Sequence, residues 1–168
     1  METFTKNWCL LVILGFLLSV KGQVPMDELT DLQDKALNLV MEDFHTKEYV
    51  RYRFQVLSIL EAMEEKYSAG IFVRLHYTKK QTNCPKSQWK GKDCKSLNNG
   101  KVFNCFACYK FAYGNHEVLS KLNDCVNERF VNEGRQRKRL TECRTVEKRK
   151  EIGLGLPGSF SFLQSSHS

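Results

Sequence analysis

Six of the seven cysteines, Cys84, Cys94, Cys105, Cys108, Cys125 and Cys143, crowd into residues 84–143, and the seventh, Cys9, stands far from them. What this means depends on the compartment, and the N-terminus addresses that. Lys6 gives a positive start, Trp8 to Leu18 is almost wholly apolar, and Val20 and Gly22 are small enough for a cleavage site before Gln23. That order of features marks residues 1–22 as a secretory signal peptide. The apolar run is shorter than the ~20 residues of a bilayer span, so no membrane anchor is expected. Cys9 leaves with the leader. An even number of cysteines in an oxidising compartment reads as a disulfide framework. The rival reading, zinc, rests on Cys105-Phe-Ala-Cys108 alone, with no second such pair or paired histidines to complete a site.

Strand geometry narrows the about 15 pairings that six cysteines allow. Phe103, Cys105, Ala107, Tyr109 and Phe111 occupy alternate positions of a strand-like run. In a regular strand Cys105 and Cys108 point to opposite faces with Cα atoms about 10 Å apart. That exceeds the ~7 Å reach of a bridge, so they pair elsewhere. Cys84 and Cys94 flank a polar, lysine-rich loop and are natural local partners. Cys105 and Cys108 then take Cys125 and Cys143, one each, in an order the spacing leaves open.

The remaining periodicities predict an α+β domain. Leu29, Leu32, Ala36, Val40 and Phe44 recur at helical spacing, with Asp27 and Glu28 at the positive end of the helix. Tyr52, Phe54 and Val56 alternate with polar residues, and Ile71, Val73, Leu75 and Tyr77 alternate with Phe72, Arg74, His76 and Thr78. Asn98-Asn99-Gly100 signals a turn before the third strand, and a weaker strand is expected over Leu140 to Val146. The expected architecture is one N-terminal helix packed on a four- to five-stranded antiparallel sheet, with a disulfide-stapled C-terminal half and a flexible C-terminal tail.

The chain carries a net charge of +7, and much of the excess lies late. Arg135, Arg137, Lys138, Arg139, Arg144, Lys148, Arg149 and Lys150 crowd one segment, opposed there by Glu142 and Glu147. Such a run reads equally as a solvated surface and as a site for a glycosaminoglycan or an anionic microbial surface. The secretory route argues against nucleic acid. Beyond Lys150 the composition changes to glycine, proline and serine, yet Phe160, Phe162 and Leu163 are large apolar groups on an end that no cysteine ties down. Burial of each is worth roughly 1.5–3 kcal/mol, either on the protein itself or in a partner. His45, His76, His116 and His167 form no metal-binding pair, and no H-E-x-x-H, G-x-S-x-G or phosphate-loop motif occurs. No enzyme activity, cofactor or metal is expected.

Ala69-Gly-Ile-Phe-Val-Arg-Leu75, Gln81-Thr-Asn-Cys84, Trp89, Cys94, Asn99-Gly100, Cys105-x-Ala-Cys108 and the tail Pro157-Gly-Ser-Phe-Ser-Phe162 together resemble the chemerin family. The resemblance runs from Leu29 to Phe162. It implies a cystatin-like fold related to cathelicidin prodomains, with bridges Cys84–Cys94, Cys105–Cys125 and Cys108–Cys143. It also implies a monomeric secreted chemoattractant and adipokine that activates a chemokine-like G-protein-coupled receptor once extracellular serine or cysteine proteases trim its C-terminus. By the same resemblance residues 23–152 form the domain and 153–163 the activating peptide. Its receptor-binding residues are Gly155, Leu156, Pro157, Gly158, Ser159, Phe160, Ser161, Phe162 and Leu163. Cleavage between Leu163 and Gln164 would remove 164–168.

The chain departs from the family pattern in that Gln164 to Ser168 holds no lysine or arginine, which favours an elastase- or chymotrypsin-like processor over a trypsin-like one. Gly155-Leu156 stands where the mammalian peptide has aromatic residues. Two other readings compete. A cystatin-type cysteine-protease inhibitor needs a Q-x-V-x-G hairpin, and Gln55-Val-Leu-Ser-Ile59 lacks its glycine. A cathelicidin-like antimicrobial protein would release a cationic end, whereas this end is apolar and nearly neutral.

Overall fold

Thr30 opens the first helix. Its side chain accepts a hydrogen bond from the Gln33 backbone N–H while the Gln33 side chain accepts one from the Thr30 N–H, a reciprocal box that satisfies two otherwise orphaned donors. In a computed structural model, which describes residues 22–88, 90–91 and 93–149, this helix, α1, runs Asp31–Thr46. The strands follow as β1 (Tyr52–Tyr67), β2 (Gly70–Pro85), β3 (Val102–Phe111) and β4 (Val118–Asn127), and a second helix, α2, spans Glu133–Glu147. The strands form one antiparallel sheet in the order β1-β2-β3-β4.

The sheet divides two cores. On one face Ile71, Val73, Leu75 and Tyr77 of β2 and Cys105, Ala107, Tyr109 and Phe111 of β3 meet Leu32, Ala36, Leu37, Val40 and Met41 of α1. On the other, Phe72, Phe106 and Cys108 meet Cys143 and Val146 of α2. Period-two alternation in β2 and β3 is the cause, since it sends odd-numbered residues to α1 and even-numbered ones to α2. Gly70 begins β2 at φ +117°, a conformation that glycine adopts freely, and a Cβ there would lie 2.3 Å from the Phe111 carbonyl oxygen.

The segment Leu140 to Val146, expected as a weak strand, is helical. Its apolar residues recur every three positions (Leu140, Cys143, Val146), a helical spacing, and Asn132 caps the helix by accepting from the Arg135 N–H at 2.9 Å. The fourth strand is instead Val118–Asn127, an edge strand half-buried along nearly its whole length. Gln55 to Ile59 lies inside β1 and not in a hairpin loop.

Three disulfides join Cys84 to Cys94, Cys105 to Cys125 and Cys108 to Cys143. Cys105 and Cys125 face each other across the β3–β4 register on the α1 side. Cys108 points the other way and fastens α2 to the opposite face.

Candidate functional site

The basic segment is not one surface. Helical winding sends part of it into the protein and part outward. Arg139, 3 % exposed, lies between α2 and the sheet. Its Nε donates to Asp124 Oδ2 at 2.6 Å, its Nη1 to Asn104 Oδ1 at 2.6 Å and its Nη2 to the Asn104 carbonyl at 3.0 Å. One turn earlier, Arg135 Nη1 donates to Asp124 Oδ1 at 2.6 Å. Burial alone would raise the Asp124 pKa, but the bonds from Arg139 and Arg135 outweigh it and hold the carboxyl below its ordinary value. Both arginines therefore act as structural cations that seat α2 on β3 and β4.

The outer face differs. Lys138 pairs with Glu142 at 3.7 Å. Arg137, Arg144, Lys148 and Arg149 are exposed and form no salt bridge among the described residues. Thr141, Arg144, Thr145, Lys148 and Arg149 line an open cleft of about 580 Å³. Of the eight basic residues singled out above, the structure thus turns two inward, pairs one on the surface and leaves four outward. Lys150 lies outside the described residues.

The C-terminal end of α2 is held firmly. Val146 is buried, Glu147 accepts a hydrogen bond from the Tyr67 hydroxyl at 2.8 Å, and Cys143 is bridged to β3. The last described residues, Lys148 and Arg149, therefore follow a fixed helix end. Gly155, Leu156, Pro157, Gly158, Ser159, Phe160, Ser161, Phe162 and Leu163, and the Leu163–Gln164 bond, lie outside the described residues.

One arrangement had no sequence signal. Lys79 is 0 % exposed, with its Nζ 3.0 Å from the centre of the Phe44 ring and no hydrogen-bond partner. Burial pushes its pKa down to about 6. Beside it the buried His45 bridges two elements, its Nδ1 2.7 Å from the Met41 carbonyl and its Nε2 accepting from the Phe54 N–H at 3.0 Å. Phe44, Tyr49, Tyr52, Phe54 and Phe103 line a cleft of about 380 Å³ at this end of the sheet. Among the described residues no group of three or more histidine, cysteine or acidic side chains could hold a metal, and no helix is long and apolar enough to cross a membrane.

Comparison with known proteins places the chain. Human retinoic acid receptor responder protein 2 is 35 % identical over 155 residues, spanning 91 % of this chain and 94 % of the relative. The chain belongs to the retinoic acid receptor responder protein 2, or chemerin, family. Other chemerins at similar distance are the Bos taurus protein, 33 % identical over 160 residues and covering 94 % of this chain and 98 % of the relative, and the Mus musculus protein, 33 % identical over 157 residues, covering 92 % and 94 %. No family model matches the chain. Among solved structures, dimeric human cystatin F superposes with a TM-score of 0.47 and 16 % identity, covering 63 % of this chain and 86 % of that one.

Proposed function

We propose that this chemerin-family protein is a secreted chemoattractant and adipokine precursor, acting in chemotaxis, inflammation and adipocyte differentiation. Proteolysis between Leu163 and Gln164 would free residues 155–163 to activate a chemokine-like G-protein-coupled receptor. Family membership over nine-tenths of the chain is the observation that carries the reading. The physical support is the fixed point at the end of α2. A bridged, hydrogen-bonded helix end presents the receptor with a preformed carrier body, which adds no ordering cost of its own to binding. Phe160 and Phe162 supply apolar anchors, and trimming places a carboxylate at Leu163 in place of five further polar residues. In this reading residues 1–22 are the leader, 23–152 the carrier domain, 153–163 the active peptide and 164–168 the removed piece.

The test is receptor signalling by the chain ending at Leu163 against the full chain. The shorter form should be the more potent, and equal potency rejects activation by trimming. Phe162→Ala in the shorter form should weaken binding by at least about 1 kcal/mol, about a fivefold shift in the dose–response curve. An unchanged curve removes that ring from the contact.

A further inference from the structure

We propose that the outward face of α2 is a binding site for sulfated polysaccharide, built from Arg137, Arg144, Lys148 and Arg149. The fold itself sorts these four from the other cations of the segment. Arg135 and Arg139 share the carboxylate of Asp124 and Lys138 pairs with Glu142, whereas the four are exposed and form no salt bridge among the described residues. Beyond them the sequence adds Lys150 against Glu151 and then no further acid.

Their spacing makes a row. Positions 137, 141, 144 and 145 recur at three and four residues, so they share one side of α2, and Lys148 and Arg149 continue from its C-terminal end. At 1.5 Å rise per residue the row is about 16 Å long. Thr141 and Thr145 separate the cations, and each turns its hydroxyl back to a helix carbonyl, so no anion interrupts the row. A row of exposed cations on an anchored helix, arginines among them, matches a linear chain with regularly repeated sulfates. Guanidinium forks pair sulfate oxygens much as they pair phosphate. Because Cys143 is bridged and Arg139 is locked to Asp124, the row exists before any ligand arrives, and binding restrains side chains only.

The same face is poorly made for a lipid surface. A helix that lies in a bilayer interface needs an apolar stripe beside its basic one. In α2 the apolar residues Cys143 and Val146 are buried against the sheet, and Leu140 alone stands out, 45 % exposed.

The proposal is independent of the receptor reading, since it is tested without receptor. The experiment is retention of the secreted protein on immobilised heparin as salt is raised, with vesicles of phosphatidylglycerol and phosphatidylcholine as a second arm. The wild-type protein should stay bound at physiological salt. Arg137→Ser, Arg144→Ser, Lys148→Ser and Arg149→Ser combined should lower affinity at least about tenfold and flatten the dependence on salt, as loss of four counterion-releasing contacts requires. A control with the same charge change, Lys66→Ser, Lys90→Ser, Lys95→Ser and Lys101→Ser, should stay bound at physiological salt. Unchanged thermal unfolding of the α2 variant shows that the scaffold is intact. Equal loss in the two variants, passage of the wild type through heparin at physiological salt, or loss of vesicle binding with heparin retention intact would each overturn the proposal.

Discussion

Two buried side chains, Lys79 and His45, contribute to how the stability of this protein responds to pH. Lys79 has an ordinary pKa of 10.5 and a folded value of about 6. Between those values the unfolded chain holds a proton that the folded one has released, so stability should rise with pH across that window. Lys79→Met removes both the slope and the cost of an unpartnered buried amine. It should stabilise the protein at pH 7 by about 1–3 kcal/mol, read from urea unfolding at pH 7 and pH 9. A Lys79→Met protein that keeps the wild-type slope would show that the amine is not the titrating group. His45 acts in the same sense at lower pH. Burial first, helped by the nearby cations Lys79, Arg53 and Lys86, outweighs its bond to Met41 and depresses its pKa from 6.5. The unfolded chain then binds the proton more readily below pH 6.5, so acidification should lower the melting temperature. Protonation at Nε2 also removes the acceptor of the Phe54 N–H. Neither role could be read from the sequence. Thr78-Lys79-Lys80 looks like a solvated end of a strand, and only the approach of Phe44 from α1 reveals that Lys79 is covered.

Among the elements, legibility followed periodicity. In α1, β2 and β3 the apolar spacing that the sequence shows is the spacing that the cores use. β1 was legible only in its first residues. Register shifts between Val56 and Ser58 and between Ile59 and Glu61 change which side chains face the core, so the alternation breaks long before the strand ends at Tyr67. β4 has no clean alternation, and it is half-buried along nearly its whole length. The helix α2 was hidden because its inward face uses an arginine where a pattern reader looks for leucine. That arginine distinguishes the two sides of the element experimentally. Arg139→Leu takes from Asp124 one of its two arginine partners and from Asn104 its bonds to the guanidinium, and should cost about 3 kcal/mol in chemical denaturation. Arg137→Ser on the outer side should stay within about 0.5 kcal/mol. Comparable losses would mean that the outer face is packed after all.

At the scale of the molecule, the sheet is a partition with a separate bridge on each side. Cys105–Cys125 lies with the α1 core, whereas Cys108–Cys143 holds α2 over a sequence separation of 35. Replacing Cys108 and Cys143 by serine should cost about 2–4 kcal/mol. The loss should be uneven, with amide hydrogen exchange accelerating in α2 while β2 and β3 stay protected. Uniform acceleration would show that the layers melt together. Phe160 and Phe162, the anchors of the proposed receptor contact, stand out in the sequence as large apolar groups on an end without cysteines, and they lie outside the described residues. The division within α2 has one more consequence. Its inner cations answer to the architecture and its outer ones face solvent, so descendants of this gene can gain or shed the outward charges without endangering foldability. Evolution could retune what the protein adheres to while the scaffold beneath stays as it is.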